Sequence, residues 1–93
     1  MRRDVAIVGA GYVGVPLAQV FSEAGKKVVL VDIAADRVAQ LNRGESYIED
    51  VPSDKLRELV DERGLTATTH YDVLRDVAAI VIARPARKRS MTA

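Results

Sequence analysis

Val5 to Gly14 reads VAIVGAGYVG, a short apolar run that breaks into Gly9-Ala10-Gly11-Tyr12-Val13-Gly14. A second apolar run, Val28-Val29-Leu30-Val31, stops on Asp32, 18 residues beyond Gly14. Glycines recur by chance, so a lone GxGxxG carries little weight. Here the glycines follow a strand pattern, open a helix pattern, and are answered by an acid at the end of the next strand pattern. That is the context a dinucleotide-binding fingerprint requires.

Each residue has a physical role in that reading. Gly9 lets the chain turn tightly off the first strand. Gly11 leaves room for a pyrophosphate to approach the backbone, and Gly14 lets the following helix pack close to the sheet. The N–H groups from Tyr12 to Gly14 lie at the helix start, where unpaired donors and the positive dipole end favour an anion. Asp32 is placed to accept hydrogen bonds from both adenosine ribose hydroxyls, and its charge repels a 2′-phosphate, so the expected cofactor is NAD rather than NADP. The alternative is a tight strand-to-helix turn with no ligand and a solvated Asp32.

The rest of the chain alternates in kind. Strands are expected over Asp4–Val8, Lys27–Val31, Leu65–Thr69 and Ala78–Ala83, the last of them buried. Helices are expected from about Tyr12 to Ala24, Ala35 to Asn42 and Ser53 to Glu62, with a brief one over Tyr71–Asp76. Val13, Leu17, Val20 and Phe21 form the sheet-facing stripe of the first, and Gly25 ends it with a left-handed cap. Val38 and Leu41 face inward in the second, which stops at Gly44. Ser53 reads as the N-cap of the third, whose inward residues are Leu56, Leu59 and Val60 and whose stop is Gly64. Glu45 to Pro52 is a loop with three acids and apolar residues that look exposed. Such alternation means parallel pairing, with strand order 3-2-1-4 and the ligand crevice at the carboxyl ends of strands one and four. The fold class is therefore α/β, a Rossmann-type parallel sheet, first half only. Residues 1–83 form this half-domain, and residues 84–93 a basic, disordered tail.

Composition narrows the functions. The 93 residues suffice for one small domain, and 48% hydrophobic content indicates a globular fold. No apolar stretch approaches the length of a membrane span or a signal peptide, which makes the cytoplasm the expected location. There is no cysteine, which excludes disulfides, thiolate metal sites and a cysteine nucleophile within this sequence. His70 has no second histidine or cysteine to join it, so no metal is expected. The net charge is +1, but Arg84 to Ala93 holds four of the 14 basic residues and no acid, leaving residues 1–83 at −3. Without aromatic interleaving or a recognition motif, that basic end does not indicate nucleic acid. Arg37, five residues after Asp32, either reaches over the adenine side of a cofactor or is an exposed helix charge. The spacing leaves both open.

The string VAIVGAGYVGVPLAQVFSEAGKKVVLVDIAADRVAQLNRG resembles the amino terminus of the UDP-glucose/GDP-mannose dehydrogenase family, most specifically in Gly-Tyr-Val-Gly-x-Pro-Leu-Ala at Gly11 to Ala18. The resemblance implies that Asp32 and Arg37 both contact the NAD adenosine. Gly44-Glu45-Ser46-Tyr47-Ile48-Glu49-Asp50-Val51-Pro52-Ser53 is similar to the branch that oxidises UDP-N-acetyl-hexosamines, UDP-N-acetylglucosamine 6-dehydrogenase in particular. The expected cofactor-binding set is then Gly9, Ala10, Gly11, Tyr12, Val13, Gly14, Asp32 and Arg37. The family's reaction is a four-electron oxidation of a sugar C6 alcohol to a carboxylate with two NAD, through aldehyde capture by a cysteine thiolate. Full-length members are expected to be homo-oligomers that bind a UDP-sugar. The resemblance covers residues 4 to 83, after which the family's Val-Pro-Thr-Pro is replaced by Arg84-Pro85-Ala86-Arg87. No catalytic position of the family lies in this segment. The expected function is thus an NAD-binding fragment of a nucleotide-sugar dehydrogenase, with a stand-alone nucleotide-binding module or a nonfunctional remnant as the other readings.

Overall fold

The computed structural model describes residues 3–83. The expectation of a disordered tail over 84–93 lies outside the described residues. Four short strands, β1 (Val5–Val8), β2 (Val28–Val31), β3 (Thr66–Thr68) and β4 (Ala79–Ile82), form one sheet in the order β3-β2-β1-β4. All three pairings are parallel, with Val5 opposite both Val28 and Ala79, and Val29 opposite Thr66. This is the expected fold class and strand order.

Helices α1 (Gly14–Glu23), α2 (Ala35–Asn42) and α3 (Ser53–Arg63) supply the main core against one face of this sheet. Val5, Ile7, Val28 and Leu30 from the strands meet Val15, Ala18, Val38, Leu41, Leu56 and Leu59 from the helices. Each fully buried Leu or Ile here contributes about 1.5–3 kcal/mol. The α1 stripe differs from the expected one. Gly14, Val15, Ala18 and Ser22 face the sheet, Leu17 and Phe21 flank it, and Val13 and Val20 are exposed. A close helix-to-sheet approach selects the small side chains, which a count of large apolar residues overlooks.

Left-handed glycines end the helices as expected: Gly25 at φ 89°, Gly44 at φ 75° and Gly64 at φ 74°. The start of α3 is different. Pro52 is its N-cap and Ser53 the first helical residue. The Ser53 hydroxyl instead accepts the Ser46 N–H at 2.9 Å and so closes the loop before the helix. That loop is not the exposed segment its sequence suggested, because Ile48 and Val51 are buried in the main core.

The opposite face is thinly covered. The β3–β4 connection is a single 3-10 helix, Tyr71–Asp76, whose Val73 and Leu74, with Val77, pack on Ala6, Val29 and Val31. Ile80 and Ile82 sit opposite Ala6 and Val8 and share this face, yet are 50% and 69% exposed. The expected burial of the fourth strand is therefore not realised: a crossover of one 3-10 helix is too short to reach over β4.

Candidate functional site

The carboxyl ends of β1, β2 and β4 converge on a cavity of about 580 Å3, within the range of small-ligand pockets. Gly9, Ala10, Gly11 and Tyr12 come to it from the turn after β1, Asp32 from the end of β2, and Ala83 from the end of β4. Arg37 reaches it from α2 with Asp36 and Gln40, and Tyr47 and Ile48 from the loop that follows α2.

Three glycines build the turn in different ways. Gly9 has φ 109°, and a Cβ there would lie 2.5 Å from the Ala83 carbonyl oxygen. Only glycine satisfies both constraints. A Cβ on Gly14 would lie 1.8 Å from the Gly9 carbonyl oxygen, so its absence lets α1 begin directly against the turn. A Cβ on Gly11 would meet nothing within 4 Å. Gly11 thus faces open space, which is what a bound diphosphate needs. The first i→i−4 bond of α1 runs from the Val15 N–H to the Gly11 carbonyl at 3.1 Å. The N–H groups of Gly11 to Gly14 precede it and stand at the positive end of the helix dipole. Donor set and space both fit a dinucleotide.

Asp32 is already at work in the protein. Its Oδ2 accepts the Ala10 N–H at 2.8 Å and its Oδ1 the Ala34 N–H at 2.9 Å. The carboxylate fixes the shape of the glycine turn, and each oxygen keeps lone-pair capacity for a hydroxyl. Sequence reading assigned Asp32 to ribose alone and missed this second role.

Of the expected set, Gly9, Ala10, Gly11, Tyr12, Asp32 and Arg37 line the cavity. Val13 is 42% exposed beside it, and Gly14 is buried beneath the turn. Five wall residues lie outside the expected set: Asp36, Gln40, Tyr47, Ile48 and Ala83. Asp36 and Gln40 share one face of α2 at i,i+4 spacing, a signal available in principle. The Tyr47 hydroxyl donates to the Ala10 carbonyl at 2.7 Å. Its ring lies under the Arg37 guanidinium, 5.4 Å from Cζ to the ring centre, within cation–π range. Burial pushes the Tyr47 phenol up from its ordinary 10.0 to about 12; Arg37 pulls it down, and Asp32 and Asp36 push it up. At neutral pH it is a donor. Among the described residues no cluster of three or more His, Asp or Glu side chains could hold a metal ion, and no helix is long and apolar enough to cross a membrane.

Residues 3–92 match the NAD binding domain of the UDP-glucose/GDP-mannose dehydrogenase family, so the match continues past Ala83. The chain is 42% identical over 82 residues to the UDP-glucose 6-dehydrogenase AglM of Haloferax volcanii, covering 88% of this chain and 19% of that protein. It is 31% identical over 81 residues to the UDP-N-acetyl-D-mannosamine dehydrogenase of Yersinia pestis, covering 87% and 19%. The crystal structure of a ternary complex of GDP-mannose dehydrogenase from Pseudomonas aeruginosa is similar at a TM-score of 0.83 and 27% identity, over 97% of this chain and 21% of that one. The chain spans about a fifth of the length of the curated relatives it matches. On these matches, and on a glycine turn facing an acid across a Rossmann-type crevice, the chain belongs to the UDP-glucose/GDP-mannose dehydrogenase family and carries its NAD binding domain.

Proposed function

We propose that this chain supplies the cofactor half of a nucleotide-sugar 6-dehydrogenase whose substrate is a UDP-N-acetyl-hexosamine or UDP-glucose. The observation that carries the cofactor assignment is the convergence of the open face of Gly11, the backbone of Gly11 and Tyr12 just ahead of α1, and Asp32 on one cavity. In this reading the N–H groups of Gly11, Tyr12 and Val13 bind the pyrophosphate. Asp32 takes the adenosine ribose hydroxyls, and Arg37 lies over the adenosine. NAD, when bound, supplies hydride acceptance. Support for the sugar class comes from the names of the relatives, which include UDP-glucose and UDP-N-acetyl-D-mannosamine dehydrogenases, and from the Ser46–Ser53 string.

The 93 residues bind the cofactor without turning over a sugar, since they hold no cysteine to capture an aldehyde. Catalysis, a UDP-sugar site and homo-oligomerisation are features of the complete enzyme. The test is calorimetric titration of the folded chain with NAD and NADP, with circular dichroism as the folding check. NAD is expected to bind near 1 mM, worth about 4 kcal/mol, and more tightly than NADP. Gly11→Val should abolish that binding while keeping the fold. Normal NAD affinity in this variant would refute the phosphate assignment.

A further inference from the structure

Tyr47 touches two parts of the cavity with two chemically different ends. Its hydroxyl holds the Ala10 carbonyl at 2.7 Å, while Asp32 holds the Ala10 N–H at 2.8 Å. Its ring, meanwhile, underlies the guanidinium of Arg37. The loop between α2 and α3 is thereby tied to the glycine turn, and a cation is held on the tyrosine wall of the cavity. That cation matters for selectivity. An arginine close to an adenosine ribose is the group that accommodates a 2′-phosphate, through paired charge-assisted hydrogen bonds. Asp32 opposes such a phosphate by repulsion, but an arginine free to swing toward it would cancel part of that effect.

We propose that Tyr47 is a positioning and specificity-determining residue: its ring keeps Arg37 from pairing with a 2′-phosphate, and its hydroxyl sets the carbonyl of Ala10. The proposal rests on the NAD reading of this cavity and deepens it. The two roles separate by substitution. Phenylalanine keeps the ring and loses the hydroxyl, whereas leucine loses both.

The experiment titrates the 93-residue chain and its variants with NAD and NADP, each variant first shown to be folded by circular dichroism. In Tyr47→Phe both affinities should fall together by about threefold, in line with the loss of one neutral hydrogen bond, and the NAD/NADP ratio should stay at its wild-type value. In Tyr47→Leu the ratio should drop about fivefold because NADP binding gains relative to NAD. The double variant Tyr47→Leu/Arg37→Ala should restore the ratio, an outcome that general loosening of the loop would not produce. A wild-type ratio in Tyr47→Leu, or a ratio still depressed in the double variant, overturns the role of Tyr47. Unchanged NAD binding in Gly11→Val overturns the cavity reading instead, so the two failures are distinguishable.

Discussion

Gly11 and Gly14 lie three residues apart in the same motif, and the structure predicts opposite consequences for the same substitution. In Gly14→Ala the new methyl would stand 1.8 Å from the Gly9 carbonyl oxygen, 3.0 Å from its carbon and 3.4 Å from Ile7 Cγ2. Real Cβ contacts stay beyond 3.0 Å, so α1 and the turn must part by at least about 1.2 Å. Neither side yields easily. Gly9 is held by its N–H bond to the Val31 carbonyl at 2.8 Å, and α1 is packed on the sheet through Val15 and Ala18. Overpacking against backbone belongs at the upper end of the usual range, about 3 kcal/mol. A domain of this size has roughly 5–14 kcal/mol in total.

That loss corresponds to a fall in Tm of about 12–24 °C. Gly11→Ala meets nothing within 4 Å and should move stability by less than about 0.5 kcal/mol. Helix propensity alone would favour alanine at Gly14 by up to about 1 kcal/mol, so the expected sign there is opposite to the propensity argument. Thermal melts followed by circular dichroism decide the matter. A Gly14→Ala protein melting within about 4 °C of wild type, or a Gly11→Ala protein falling as far as Gly14→Ala, would refute the packing argument.

Three further perturbations test other parts of the molecule. Ser22 is buried in α1 with no partner for its hydroxyl among the described residues, so Ser22→Ala should raise stability by about 1 kcal/mol; a lower Tm would contradict this. Ile82→Lys, at a 69% exposed position on β4, should leave Tm within about 4 °C; a larger fall would show that this side chain is buried in solution. The folded Tyr47 phenol ionises near 12, while the unfolded one does so at 10.0. Its contribution is therefore complete below pH 10 and is lost as pH rises toward 12. The alkaline limb of denaturant stability should be flatter in Tyr47→Phe, and superimposable limbs would remove the pH argument.

The sheet and half of the cavity were legible because they rest on local signals. VAIVGAGYVG announces a strand, a turn with positive φ and a helix start within ten residues, and VVLVD repeats the strand with an acid at its end. What escaped depends on contacts remote in sequence. Tyr47 meets Ala10 across 37 positions, and nothing in SYIEDVPS indicates that its hydroxyl would find that carbonyl. The charge of Asp32 points to ribose, yet the fold also uses it as a backbone acceptor for Ala10 and Ala34. The α1 stripe departs from its expected residues for a related reason. Periodicity ranks residues by apolar size, whereas the approach of α1 to the sheet is set by how little Gly14 and Ala18 protrude. Ser53 was assigned to a cap by its type, while the geometry gives its hydroxyl to Ser46.

The two edges of the sheet are treated differently, and the difference bears on the site. At β3 the outer edge is closed by a side chain: Asn42 donates to the Ala67 carbonyl and accepts the Ala67 N–H, both at 2.9 Å, standing in for a neighbouring strand. At β4 the described residues provide no such plug, and Ile80 and Ile82 face outward beside the bare edge. Yet β4 is the strand whose end shapes the cofactor turn. The Ala83 N–H is held by the Val8 carbonyl at 2.8 Å, and its own carbonyl lies so close to Gly9 that only a glycine fits there. The position of β4 therefore sets the glycine turn through Ala83, which also lines the cavity.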